Sequence, residues 1–249
     1  MSLVETDWLK KNIGSVKIID CSWHMPQTKR SGIEEYKNQH IPNSIFFDLD
    51  SNSKKEIDLP HMLVNQSDWE QIVSKMGVNN EDEIVIYDNS DVISSCRCWF
   101  NFIYFGHNPK LVHVLNGGLK KWIKENNEVT KNIINIQPSN YKSFEKKELV
   151  KNKKLINQNI NKQKFKVIDA RSKERFEGKV QEPRNGLRSG SIKNSFCIPF
   201  DQCLNENKTF KSKEDLKLIF ETCLENINEK NIVFSCGSGV TACVLALAY

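Results

Sequence analysis

The segment NIVFSCGSG at 231–239 repeats the segment EIVIYDNSD at 83–91 and sets Cys236 opposite Asp88 at an offset of 148. Two further pairs keep the same order. VKIIDCS at 16–22 recurs as FKVIDARS at 165–172, placing Asp20 against Asp169 at an offset of 149. HIPNSIFFDLD, ending at Asp50, recurs as SIKNSFCIPFD, ending at Asp201, at an offset of 151. Three matches in one order at nearly constant offset mark a duplicated domain, because a unit of about 150 residues far exceeds the 20–50 residues of a solenoid repeat.

Each copy reads as α/β. The short runs at 18–19, 44–47, 84–87 and 111–115 are mostly apolar and do not alternate, the pattern of strands buried on both faces. Helical patterns fall between and after them at 33–38, at 69–76 with Ser67 or Asp68 as the N-cap, and at 93–105. The alternation predicts two tandem domains, each a mostly parallel sheet flanked by helices. A non-catalytic copy takes residues 1–130, a connection rich in Lys, Asn and Gln takes 131–164, and a catalytic copy takes 165–249. Within the connection, 141–150 is compatible with either a strand or a helix. The first copy continues past its 84–87 strand through a helix, the strand LVHVL and a helix beginning GGLKKW, whereas the second reaches only Tyr249, the equivalent of Asn101. The catalytic copy is therefore expected to be truncated at its C-terminus, with sheet backbone exposed.

Length agrees with two domains, since 249 residues exceed one ordinary domain of about 100–150. The 36 basic and 31 acidic residues leave a net charge of +5 with no basic stripe, which gives no support to a nucleic-acid partner. No uncharged apolar run approaches the roughly 20 residues of a membrane span. Eight cysteines resemble a disulfide framework, but the N-terminus MSLVETDWLKKN lacks an apolar core and carries acidic residues. A reducing cytoplasm, in which thiols stay free, is the expected location.

The chemistry is sought where the copies differ. Cys236 follows a strand, precedes Gly237, Ser238 and Gly239, and stands before the helix pattern TACVLALA. Ligands of open α/β sheets bind at the carboxyl ends of strands. A helix N-terminus favours an anion and makes a thiolate available. Cys236 is thus the candidate nucleophile, against the plainer reading of a small buried apolar residue. No CxxC pair or His spacing points to zinc, and no metal or cofactor is expected. Only six of the basic residues are Arg, and four of them, Arg171, Arg175, Arg184 and Arg188, crowd into 18 residues. For Arg171 and Arg175, pairing with Glu174, Glu177 or Glu182 is as good a reading as ligand binding. Arg184 and Arg188, in the loop-like EPRNGLRSG, are better assigned to an anionic substrate, which the planar guanidinium can grip through two hydrogen bonds. A cysteine phosphatase needs Arg six residues after the cysteine, where this chain has Ala242, and a nucleotide P-loop needs a lysine that is absent after Cys236.

The blocks IIDCSWHMP, EYKNQHIPNSIFFDLD, LPHML, VIYDNSD, VLNGGLKKW, VIDARSKERFEG, EPRNGLRSGSI and CGSGVTA together resemble the two-domain sulfurtransferases of the rhodanese superfamily, most closely the 3-mercaptopyruvate type. The resemblance covers essentially the whole chain, and CGSGVTA is its most specific part. It implies an enzyme in which Cys236 takes sulfur from 3-mercaptopyruvate as a persulfide, releases pyruvate, and passes the sulfur to a thiol, thioredoxin or cyanide. It implies that the loop N–H groups of Gly237, Gly239, Val240 and Thr241 stabilise the persulfide, that Arg184 and Arg188 hold the substrate carboxylate, and that Ser238 with His61 and Asp50 forms a proton relay. For His61, a packing role stands beside that one. Thiosulfate-preferring relatives carry basic residues just after the cysteine; Gly237 and Ser238 are neutral here, which favours mercaptopyruvate over thiosulfate. A thiosulfate sulfurtransferase and a non-catalytic sulfur-carrying or interaction module remain as alternatives.

Overall fold

A computed structural model describes residues 2–249. The chain divides into two compact units. The first comprises residues up to Lys147 with Asn207–Thr209, and the second comprises Glu148–Glu206 with Phe210–Tyr249.

In the first unit the elements run β1 (Leu3–Val4), α1 (Thr6–Asn12), β2 (Lys17–Asp20), α2 (Gly32–Asn38), β3 (Ser44–Phe46), α3 (Gln66–Lys75), β4 (Ile84–Tyr87), α4 (Ser95–Tyr104), β5 (Val112–Leu115) and α5 (Gly118–Lys124). The strands pair in the order β1-β5-β4-β2-β3, all parallel. Ile84, Val85, Ile86 and Tyr87 of the central β4 are fully buried, as a continuous apolar run between two layers of helices requires. One face of the sheet packs Ile18, Val85 and Tyr87 against Leu9, Leu119 and Trp122 of the flanking helices. The N-cap of α3 differs from the sequence reading. Asn65, not Ser67 or Asp68, accepts the N–H of Asp68 at 2.9 Å, because the helix begins one turn before the apolar pattern becomes visible.

The second unit carries α6 (Lys153–Lys162), β6 (Lys166–Asp169), α7 (Lys173–Phe176), β7 (Phe196–Cys197), α8 (Lys213–Glu221), β8 (Ile232–Ser235) and α9 (Thr241–Ala248). Its three strands are parallel in the order β7-β6-β8. The pairings β2·β3 and β2·β4 thus recur as β6·β7 and β6·β8, the structural counterpart of the repeat. Here β8 is an edge strand, and its residues are half-buried where those of β4 are buried. Helix α6 forms inside the stretch assigned by composition to the connection, with the Asn152 side chain capping Leu155 N–H at 3.0 Å. Ile168, Ile198, Phe220 and Leu245 centre the core of this unit, and Cys236 packs at its border. No helix is long and apolar enough to cross a membrane.

Candidate active site

The β8 strand ends at Ser235, whose carbonyl accepts the N–H of Ala170 at 2.7 Å, so the following loop leaves from the carboxyl edge of the sheet. Within that loop Gly239 has φ +78°, a left-handed conformation that costs a side chain about 1–2 kcal/mol. The turn brings the Gly239 N–H back onto Cys236 Sγ at 3.1 Å. The Cys243 thiol, in the first turn of α9, donates to the Gly239 carbonyl at 3.1 Å, so both peptide units flanking the Gly239 Cα are tied to a cysteine sulfur. Val240 places its side chain in the core and Thr241 opens α9. These two residues therefore contribute backbone to the loop while the helix anchors it. The Cys236 thiol is thus half-buried and accepts a backbone N–H from its own loop.

Three other thiols are raised by their surroundings. Burial, followed by the neighbouring Asp169, pushes the Cys197 thiol up to about 11. Burial raises Cys203 to about 12. Cys21, fully buried, is raised by burial first and then by its hydrogen bond with Cys98.

Of the arginines, Arg184 reaches the loop and donates from Nη2 to the Gly237 carbonyl at 2.6 Å. Arg188 is exposed and donates instead to Ser191 O at 3.1 Å, within its own segment. Arg175, for which the sequence favours neither salt bridging nor ligand binding, pairs with Glu182 through Nε–Oε1 at 3.0 Å and Nη2–Oε2 at 2.6 Å. The same Nη2 also lies where a Cβ on Gly237 would meet it at 3.3 Å. Thus Arg175 and Arg184 flank Gly237, and the missing side chain at 237 makes the approach possible. Arg171 is structural: its guanidinium grips both Asp169 oxygens at 2.7–3.0 Å, Glu182 at 2.8 Å and the Gly190 carbonyl at 2.9 Å. The four-residue spacing of Arg171 and Arg175 hints at a shared face, but only the fold reveals which of the two meets the cysteine loop.

In the first unit His61 Nε2 lies 2.8 Å from Asp50 Oδ1, and Trp23 Nε1–H donates to Asp50 Oδ2 at 3.0 Å. The His61 hydrogen bond, helped by that of Trp23, holds the Asp50 carboxyl below its usual range. His61 adopts φ +57°, and its carbonyl accepts Arg97 Nη2 at 2.6 Å. The Trp23 ring stands edge-on to the imidazole at 4.8 Å. His61 Nδ1 is buried without a hydrogen-bond partner among the described residues. Asp50, His61 and Trp23 thus form one hydrogen-bonded cluster within the first unit. Ser238 and Cys236 lie in the second unit.

A family model for the rhodanese-like domain matches residues 5–125 and again residues 152–249. The chain belongs to the rhodanese family. Among curated rhodanese relatives, thiosulfate/3-mercaptopyruvate sulfurtransferase 1, mitochondrial, of Arabidopsis thaliana is 37% identical over 98% of this chain and 70% of its own length. The 3-mercaptopyruvate sulfurtransferase of Mus musculus is 32% identical over 99% of this chain and 84% of its own. Among solved rhodanese folds, SseA from Escherichia coli, described with the catalytic mechanism of 3-mercaptopyruvate sulfotransferases, superposes with a TM-score of 0.88 at 29% identity, covering 100% of this chain and 93% of that one. The two matched regions of the family model coincide with the two occurrences of the strand-and-loop motif read from the sequence.

Proposed function

We propose that this rhodanese-family chain is a 3-mercaptopyruvate sulfurtransferase. The observation that carries the reading is the Cys236 loop, in which Gly239 N–H meets the nucleophilic sulfur while Arg184 and Arg175 flank Gly237. The Cys236 thiolate attacks the sulfur of 3-mercaptopyruvate and forms an S–S bond as the C–S bond breaks. The electron pair of that bond goes to carbon as the enolate of pyruvate, which then takes a proton. An acceptor thiolate next attacks the outer sulfur, breaks the S–S bond and restores Cys236. The Gly239 N–H favours the anionic sulfur in both steps. Arg184 serves the substrate carboxylate, with Arg188 as a second cation of the same segment, and Ser238 with the Asp50–His61 pair handles protons. A small thiol, thioredoxin or cyanide is the acceptor. The eight free thiols favour a reducing, cytoplasmic setting.

Thiosulfate is the second donor to consider, because two guanidinium groups beside Gly237 also suit a dianion. Incubation of the purified protein with 3-mercaptopyruvate is expected to add one sulfur atom to the Cys236 peptide by mass spectrometry, and Cys236→Ser to abolish the gain. Sulfur gained from thiosulfate alone would shift the assignment to the second donor, and no gain from either would refute the enzyme.

A further inference from the structure

Among the described residues Glu182 is the one acidic side chain that bridges Arg171 and Arg175, and, like Asp169, it is almost completely buried, with 5% of its side chain exposed. Its Oε1 accepts from Arg171 Nη1 at 2.8 Å and from Arg175 Nε at 3.0 Å, while Oε2 accepts from Arg175 Nη2 at 2.6 Å. Arg175 is therefore held in the two-point fork that fixes a guanidinium plane. Its Nη2 is at once the atom on Glu182 and the atom facing Gly237. Pro183 follows Glu182 and Arg184 comes next, so the residue anchored by Arg171 and Arg175 lies one rigid link from the guanidinium that reaches Gly237 O. Arg171 is itself immobilised on Asp169, at the end of the central strand β6. The chain of contacts thus runs from the sheet through Arg171 and Glu182 to both cations beside the loop.

We infer that Glu182 is a positioning residue for the donor's carboxylate: it sets the plane of Arg175 and the reach of Arg184 over the Cys236 loop without touching the substrate. This deepens the reading of the loop as a sulfurtransferase site and rests on it. Asp169 is committed to Arg171, and no other described acidic group is bonded to Arg175. Losing a charge-assisted hydrogen bond typically alters binding by about tenfold or more.

The test uses Glu182→Gln in the full chain with two readouts. With 3-mercaptopyruvate as donor, KM is expected to rise by about tenfold while kcat stays within about twofold, because the thiol and its N–H donor are untouched. In alkylation of Cys236, the preference for iodoacetate over iodoacetamide is expected to fall by a similar factor, with the iodoacetamide rate unchanged. The second readout needs no sulfur chemistry, so failure of wild-type protein to take sulfur sinks the functional reading while leaving the preference to judge Glu182. Glu182→Asp, which keeps the charge on a shorter arm, is expected to recover part of both losses and carries the same test if the glutamine variant does not fold. An unchanged KM together with an unchanged preference overturns the inference. So does an iodoacetamide rate that falls in step with iodoacetate, because that marks general damage to the loop.

Discussion

The eight cysteine side chains are chemically identical and differ only in their surroundings. Burial drives the Cys197 and Cys203 thiols up to about 11 and about 12, whereas the Cys236 sulfur accepts a backbone N–H. At pH 8, limiting iodoacetamide is therefore expected to label Cys236 well before Cys197 or Cys203, read by peptide mass spectrometry over a time course; equal labelling of the three would contradict the assigned environment. The cysteine was legible in the sequence because its whole context, strand, Gly-Ser-Gly and helix, is local. The arginines were legible as a cluster but not one by one. Residues 177–190 carry no periodicity, and whether Arg175 or Arg188 faces Gly237 depends on Glu182, a partner chosen by folding. That is why Arg175 gained a place beside the loop that the letters alone could not give it.

At the level of the element, the site is a turn between β8 and α9 whose path depends on one left-handed residue. Gly239 at φ +78° bends the backbone so that its N–H meets Cys236 Sγ and its carbonyl meets the Cys243 thiol. Gly239→Ala is expected to lower the stability of the second unit by about 1–2 kcal/mol and, more tellingly, to cut the rate of sulfur uptake as the turn relaxes and the N–H leaves the sulfur. Unfolding in urea followed by circular dichroism gives the first quantity and single-turnover persulfide formation the second. A variant with normal uptake would show that the turn's conformation is incidental. The remaining elements emerge from the sequence where apolar runs are continuous, as for β4 and β5, and blur where polar residues begin a helix, as at Asn65 of α3 and in all of α6. A cap is a side-chain bond to backbone, and hydrophobic periodicity is blind to it.

For the molecule as a whole, duplication has left two sheets with the same motif and different electrostatics. At equivalent strand ends, Asp169 is gripped by Arg171, two residues on, whereas Asp20 has Ser22 at that place, which offers its N–H at 2.8 Å but no cation. Fully buried, Asp20 is pushed from 3.8 up to about 7, chiefly by desolvation, with the neighbouring Asp88 adding to the rise and Ser22 opposing it. The sign of the consequence follows from proton binding. Between pH 4 and 7 the folded first unit holds a proton on Asp20 that the unfolded chain has released, so stability falls as pH rises through this window and the loss is complete above about pH 7. A shift of this size corresponds to roughly 4 kcal/mol. Asp20→Asn retains an oxygen to accept the Ser22 N–H and cannot ionise. The variant is expected to match wild type near pH 4.5 and to exceed it increasingly toward pH 7.5. All five tryptophans, Trp8, Trp23, Trp69, Trp99 and Trp122, lie in the first unit, so their fluorescence in urea isolates its unfolding from that of the second. Taking the difference between wild type and variant at each pH cancels the titration of the other groups. A difference that stays constant from pH 4.5 to 7.5 would mean that Asp20 is ionised in the fold throughout, and that the first unit tolerates a buried charge which its duplicate neutralises with arginine.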